Sequence, residues 1–209
     1  MGAKRLVAAG VLGAATLGAW VAHASKTWGA TPTEQDMELP GDSHIPAVQL
    51  VATHGITIDS PPEDIWPWLL QIGQDRGGFY SYEALENAIG CDIEGINEIR
   101  PEWQSRNVGD VVRLAPEVEL IVGEVIPGQA LAFVEDQTKE GPGKGFPDSF
   151  SWAFVLVPVG DRRTRLLTRE RYNWGETLHP LLRVVPIASC IMTDKLLRTI
   201  KSLSTADLV

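Results

Sequence analysis

The sequence predicts an α+β fold: an antiparallel sheet of about six or seven strands, two short helices near its start and one long helix at its end. Three observations predict it. Six segments alternate apolar and polar residues, or run apolar, between turn residues. Two short amphipathic stretches with helix-start signals stand between the first and second of these segments. A longer apolar stripe at helical spacing closes the chain.

The first strand is read over Val48–Ile58. Ser60, Pro61, Pro62 and Glu63 follow. This is an S-x-x-E helix start, in which the serine takes the N3 amide, the glutamate reaches back, and proline suits the first turn. Ile65, Trp68, Leu69 and Ile72 then repeat at helical spacing. They predict a helix over Pro61–Ile72, kinked at Pro67. Gly77 and Gly78 permit a tight turn into Phe79 and Tyr80. Ser81 caps a second helix, Tyr82–Ile89, which Gly90 ends. Cys91–Asn107 has no period and reads as an ordered excursion held down by Pro101 and Trp103. The next strands are Asp110–Leu114, Val118–Val125, Ala130–Val134, Phe150–Val157 and Arg163–Trp174. In the last, Arg163, Arg165, Arg169 and Arg171 share one face, and Leu166, Thr168, Glu170 and Tyr172 share the other. The closing helix runs from Pro186 to about Leu203, with a stripe of Ala188, Met192, Leu196, Ile200 and Leu203.

Composition narrows the function. The 209 residues carry 18 Lys and Arg against 27 Asp and Glu, a net charge of −9. An acidic surface repels phosphate backbones, so nucleic acid is not an expected partner. The four His are scattered, no C-x-x-C occurs, and no metal or cofactor is expected. Cys91 and Cys190 are read as two small buried thiols, although an exported domain would permit a disulfide between them.

Residues 1–24 read as a leader. Lys4 and Arg5 precede Leu6–Ala22, a stretch of 17 residues without a charge. Ala22-His23-Ala24 fits a signal-cleavage pattern. Small-residue pairs such as Ala9/Gly13 and Gly18/Ala22 equally suit an uncleaved membrane helix. Both readings put the domain outside the cytoplasm, anchored to a membrane through the N-terminal segment or secreted. Residues 25–46, with Pro32, Pro40, Gly41 and Pro46, read as a linker, and residues 47–207 as the domain.

WPWLLQIG and GGFYSYEALEN, both within Ile56–Asn87, resemble the SRPBCC superfamily, the START-like and polyketide cyclase/dehydrase-like proteins. The order of elements over Val48–Ser204 resembles it as well. The resemblance implies a helix-grip fold, in which a long C-terminal helix lies across the concave face of a curved sheet and leaves a cavity for a hydrophobic ligand. It implies no particular reaction.

A gap between one helix and a wide sheet is an expected hydrophobic pocket. The lining candidates are Phe79, Tyr80, Tyr82, Trp103 and Phe133 from the first part of the chain. Trp152, Phe154, Tyr172, Met192 and Leu196 complete the set. Each is also a candidate for plain core. Glu170 is the sharpest polar candidate, because a carboxylate on an apolar face can serve as a general acid or base. It could equally turn to solvent or pair with an arginine. Tyr80 and Tyr82 are the other catalytic candidates. The arginine row reads as a solvated outer face or an edge guarded against aggregation, and its functional alternative is an anion site. Glu83, Glu86, Asp92 and Glu94 read as a solvated acidic face, the alternative being that Glu83 and Glu86, neighbours at helical spacing, raise the pKa of one of them. The expected function is binding of a hydrophobic small molecule or lipid. The alternatives are a cyclase, dehydratase or hydrolase using a pocket carboxylate, and an envelope interaction module without a ligand.

Overall fold

The computed structural model describes residues 21–88, 90–116, 118–136, 149–175 and 185–205. Six strands form one antiparallel sheet: β1 (Leu50–Ile58), β2 (Val111–Ala115), β3 (Val118–Ile126), β4 (Ala130–Val134), β5 (Ser149–Pro158) and β6 (Thr164–Asn173). Their spatial order is β1-β6-β5-β4-β3-β2. The last strand therefore pairs with the first, and β2 to β6 form a meander. Two short helices, Pro62–Leu70 and Glu83–Ala88, follow β1, and the long helix Val185–Thr205 follows β6.

Alternation in β5 and β6 puts two different chemistries on the two faces of the sheet. Trp152 lies opposite Glu170, and Phe150 opposite Tyr172. Ala52 of β1 flanks Glu170 from the other side. These residues face the C-terminal helix, where Leu196, Leu197 and Ile200 join Phe133, Phe154, Leu166 and Ile65 in the main core. Each fully buried large apolar side chain contributes about 1.5–3 kcal/mol.

The Pro62–Leu70 helix starts differently from the S-x-x-E reading. Ser60 makes no cap. It is fully buried, and its hydroxyl donates to the Ser204 carbonyl (2.7 Å). Its own carbonyl accepts from the Thr164 hydroxyl (2.7 Å). Ser60 thus ties the start of this helix to the end of the chain. The helix's last carbonyl, that of Leu70, is met by two arginines, Arg76 from the turn after the helix and Arg106 from the excursion, and Arg76 also ties the excursion down. Arg76 reaches Leu70 (3.1 Å), Trp103 (3.0 Å) and Ser105 (3.1 Å), and Arg106 reaches Leu70 (3.0 Å). Cations on orphan C-terminal carbonyls are a favourable end for a helix.

The segment read as a linker is folded onto the sheet. On the helix side of β1, His54 Nε2 meets the Ser25 carbonyl at 3.0 Å. The Trp28 carbonyl then accepts the Gly55 N–H (3.2 Å) at the free edge of β1, which covers an edge otherwise open to pairing. Beyond Gly29 the chain crosses to the outer face as a strap containing the short helix Pro32–Asp36.

Arg165, Arg169 and Arg171 of the arginine row lie beneath this strap, so they are not the solvated face expected from the sequence, while Arg163 is exposed. Arg165 pairs with Glu34 (2.7 Å) and Arg169 with Asp42 (2.6 Å). Arg169 also donates to the carbonyls of Met37 (2.7 Å), Glu34 (2.7 Å) and Gln35 (3.0 Å). Arg171 reaches the Ile45 carbonyl (2.9 Å). Between the ion pairs, Leu39 buries against Ala130, Val155 and Leu167. Gly41, with φ +92°, sits where an added Cβ would lie 2.8 Å from the Ala132 Cβ. Only glycine tolerates both that angle and that approach.

The leader stretch Leu6–Ala22 lies almost wholly outside the described residues, as does the glycine-rich loop around Gly141–Gly145. Among the described residues no helix is long and apolar enough to cross a membrane. Cys91 and Cys190 are both free thiols. Burial raises the pKa of each, so each is held in its protonated form.

Candidate functional site

A cavity of about 330 Å³ lies between the sheet and the C-terminal helix. Phe150, Trp152, Tyr172 and Trp174 form its sheet wall. Val185, Ser189, Met192, Thr193 and Leu196 form its helix wall. Phe79, Ser81, Glu86, Cys91 and Leu114 close it from the remaining side. The aromatic wall is continuous: Tyr172 stacks on Trp174 with centroids 5.2 Å apart and planes 6° from parallel. Phe150 lies tilted against Tyr172 at 4.8 Å.

Glu170 enters this apolar space and neither turns to solvent nor pairs with an arginine. It is buried, and three hydroxyls converge on its carboxylate. Ser189 Oγ donates at 2.7 Å and Thr193 Oγ1 at 3.1 Å, both to Oε1. The Tyr172 hydroxyl donates to Oε2. Burial first, and the adjacent Glu170 second, push the Tyr172 phenol well above its ordinary pKa, so it remains the donor. The cluster joins β6 to the first turns of the C-terminal helix. The Trp152 indole N–H is satisfied separately by Thr168 Oγ1 (3.0 Å).

Glu86 is the opposite case. It is 4% exposed, not solvated as the acidic-face reading expected. Neither of its oxygens has a hydrogen-bond partner. Burial raises its pKa, and Glu83 adds to the shift. The nearby Ser81 hydroxyl tempers it but makes its close contacts elsewhere, with the Tyr82 amide (2.6 Å) and the Met192 sulfur (3.3 Å). The Trp174 indole N–H is buried without a partner as well. Among the described lining residues, Glu86 and the Trp174 indole N–H are thus buried polar groups without a partner.

Of the residues singled out from the sequence, Phe79, Trp152, Glu170, Tyr172, Met192 and Leu196 meet at this cavity. Phe133 and Phe154 lie fully buried one layer away, packed edge-on to each other at 6.2 Å. Tyr80 is buried against Trp68 and accepts a hydrogen bond from Gln71 Nε2 (3.2 Å). Its phenol is pushed up to about 12, chiefly by burial. Tyr82 is 41% exposed and outside the lining. Trp103 lies under Arg100, at 5.0 Å, in a separate polar cleft lined by residues such as Asp75, Arg76 and Glu98. Sequence reasoning missed Ser189 and Thr193. Their one available signal was their spacing of four, which sets them on a common helix face.

No protein-family model matches the chain, and no curated protein matches it. Solved structures do align with it. One is a protein from Mesorhizobium loti, at 14% identity and TM-score 0.43, over 74% of this chain and 96% of that one. Another is Ara h 8.0201, at 11% identity and TM-score 0.47, over 75% of this chain and 98% of that one. A third is CalU16 from Micromonospora echinospora, at 14% identity and TM-score 0.40, over 75% and 84%. The chain's own topology identifies the architecture: a strand, two short helices, five strands returning to pair with the first, and a long helix over the inner face. This is a helix-grip fold. The helix-grip cavity lies between that long helix and the sheet.

Proposed function

We propose that this protein binds a hydrophobic small molecule or lipid in the helix-grip cavity. The observation that carries the reading is an apolar space of about 330 Å³ walled by Phe150, Trp152, Tyr172 and Trp174. That volume falls in the range of small-molecule sites, and its few converging polar groups suit orientation of a ligand. The test is native mass spectrometry of the full-length protein purified from a membrane-bearing host, followed by denaturing extraction. The expected result is a co-purified apolar mass that is lost in Met192→Trp, a variant that fills the cavity from the helix side. A clean apo mass with no thermal shift across a hydrophobic ligand panel would overturn the reading.

The position of Glu170 favours a second reading, an enzyme of the cyclase, dehydratase or hydrolase type. A carboxylate among three hydroxyls can move a proton to or from a bound substrate. Under that reading Glu170→Gln keeps ligand affinity and abolishes turnover, and a retained rate ends it. We further propose that Lys4, Arg5 and the apolar stretch after them put the domain outside the cytoplasm, tethered or released. Protease digestion of intact cells tests this, because a cytoplasmic domain would survive it.

A further inference from the structure

We infer that the ligand is an apolar amine, with its body against the aromatic wall and its ammonium on Glu86. The inference rests on the binding function proposed above and specifies the ligand's polar end. Glu86 lines the cavity, is 4% exposed, and has no hydrogen-bond partner on either oxygen. A buried carboxylate left this way destabilises an empty protein, so a group that satisfies it on binding is strongly favoured. Glu170 differs, because its three hydroxyls already occupy it.

The remaining lining decides the sign of the ligand's charge. Glu86 and Glu170 are the charged residues among the described lining residues, and no lysine or arginine is among them. Among the described lining residues an anionic head group finds no counter-charge, only the Trp174 N–H as an unsatisfied donor, and two carboxylates set against it. Fatty acids and phosphate-bearing lipids are disfavoured on that ground. An alcohol can donate a single hydrogen bond to Glu86 and brings no compensating charge. An ammonium can donate several and neutralises the carboxylate.

Decylamine, decanol and decanoic acid, each below its micelle-forming concentration, form a matched series. Their affinities for the full-length protein can be followed by tryptophan fluorescence. The expected order is amine, then alcohol, then acid, with the amine at least about tenfold tighter than the acid. In Glu86→Gln the amine should fall to about the affinity of the alcohol, while the alcohol is nearly unchanged. Binding of all three without that order, or an order that survives Glu86→Gln, would overturn the inference and leave the hydrophobic-binding reading standing. No binding of any of the three would overturn both.

Discussion

Glu86 and Glu170 border one cavity in opposite circumstances, and the difference is measurable. Glu170 is held by Ser189, Thr193 and Tyr172, while neither Glu86 oxygen has a hydrogen-bond partner. Replacing Glu86 by Met keeps its approximate volume and removes an unsatisfied buried acceptor group. The empty protein should gain about 1–3 kcal/mol, read from its denaturant midpoint. The site's binding preference would be lost in exchange, a common trade at functional positions. The same residue fixes a pH signature. Its folded pKa lies above the ordinary 4.5, mainly through burial. Folding therefore favours its protonated form, and its contribution is complete below 4.5 and lost as pH rises through the folded value. The stability advantage of Glu86→Met should widen over that rise, and a constant gap from pH 4 to pH 8 would contradict it. Glu170 was legible in the sequence because it interrupts an alternating apolar face. Glu86 was not, because Glu83, Glu86, Asp92 and Glu94 look alike until a fold selects which one is covered.

Among the elements, the C-terminal helix and the strap depart most from their sequence signals. The helix is legible in extent, and Met192, Leu196 and Ile200 of its sequence stripe do face the cavity or core, but Ala188 does not. Ala188 is exposed, and the buried face runs through Thr193, Leu196, Leu197, Ile200 and Ser204. Hydrophobic periodicity missed this rotation, because Thr193 and Ser189 are turned inward by the Glu170 carboxylate. The strap was harder still. Pro and Gly punctuation resembles a linker, and Leu39 and Ile45 are too few to mark a period. Its anchors are distant in sequence, so only the tertiary pairing reveals them. Arg169 is the main anchor, with Asp42 at 2.6 Å and both side chains nearly buried. Arg169→Leu should cost about 3 kcal/mol, since it strips the buried Asp42 carboxylate of its nearest cation, leaving Arg171 at 3.4 Å, and removes the donor to the Met37, Glu34 and Gln35 carbonyls. Adding Asp42→Asn should recover part of that loss. Thermal melts of the two single variants and the double variant form the cycle that checks it.

For the whole molecule, strap and cavity lie on opposite faces of one sheet and respond to acid with opposite signs. Glu34, paired with Arg165, has its pKa lowered below 4.5, first by the Arg165 hydrogen bond. Its contribution is present above 4.5 and lost as pH falls through the folded value. Acid below pH 4.5 should therefore loosen the strap while Glu86 is protonated. Amide protection, corrected for the slower intrinsic exchange in acid, should fall first over residues 31–46 as pH drops below 4.5, ahead of β5 and the C-terminal helix. A uniform loss of protection across the chain would contradict this order. The fold as a whole was largely legible: all six strands lie within two residues of their sequence readings at both ends. The sheet order and the cavity were less so, because they depend on β6 returning to β1.

That return has a consequence for how the chain avoids misfolding. β6 alternates charge and apolar surface so sharply that sliding it by a single residue against β1 would drive Arg165, Arg169 and Arg171 into the aromatic interior. The same slide would cast Leu166 and Tyr172 outward. Off-by-one pairings of the last strand are therefore nearly as costly as leaving it unpaired. A strand that must find a partner more than a hundred residues away in sequence can then test many alignments and settle in only one.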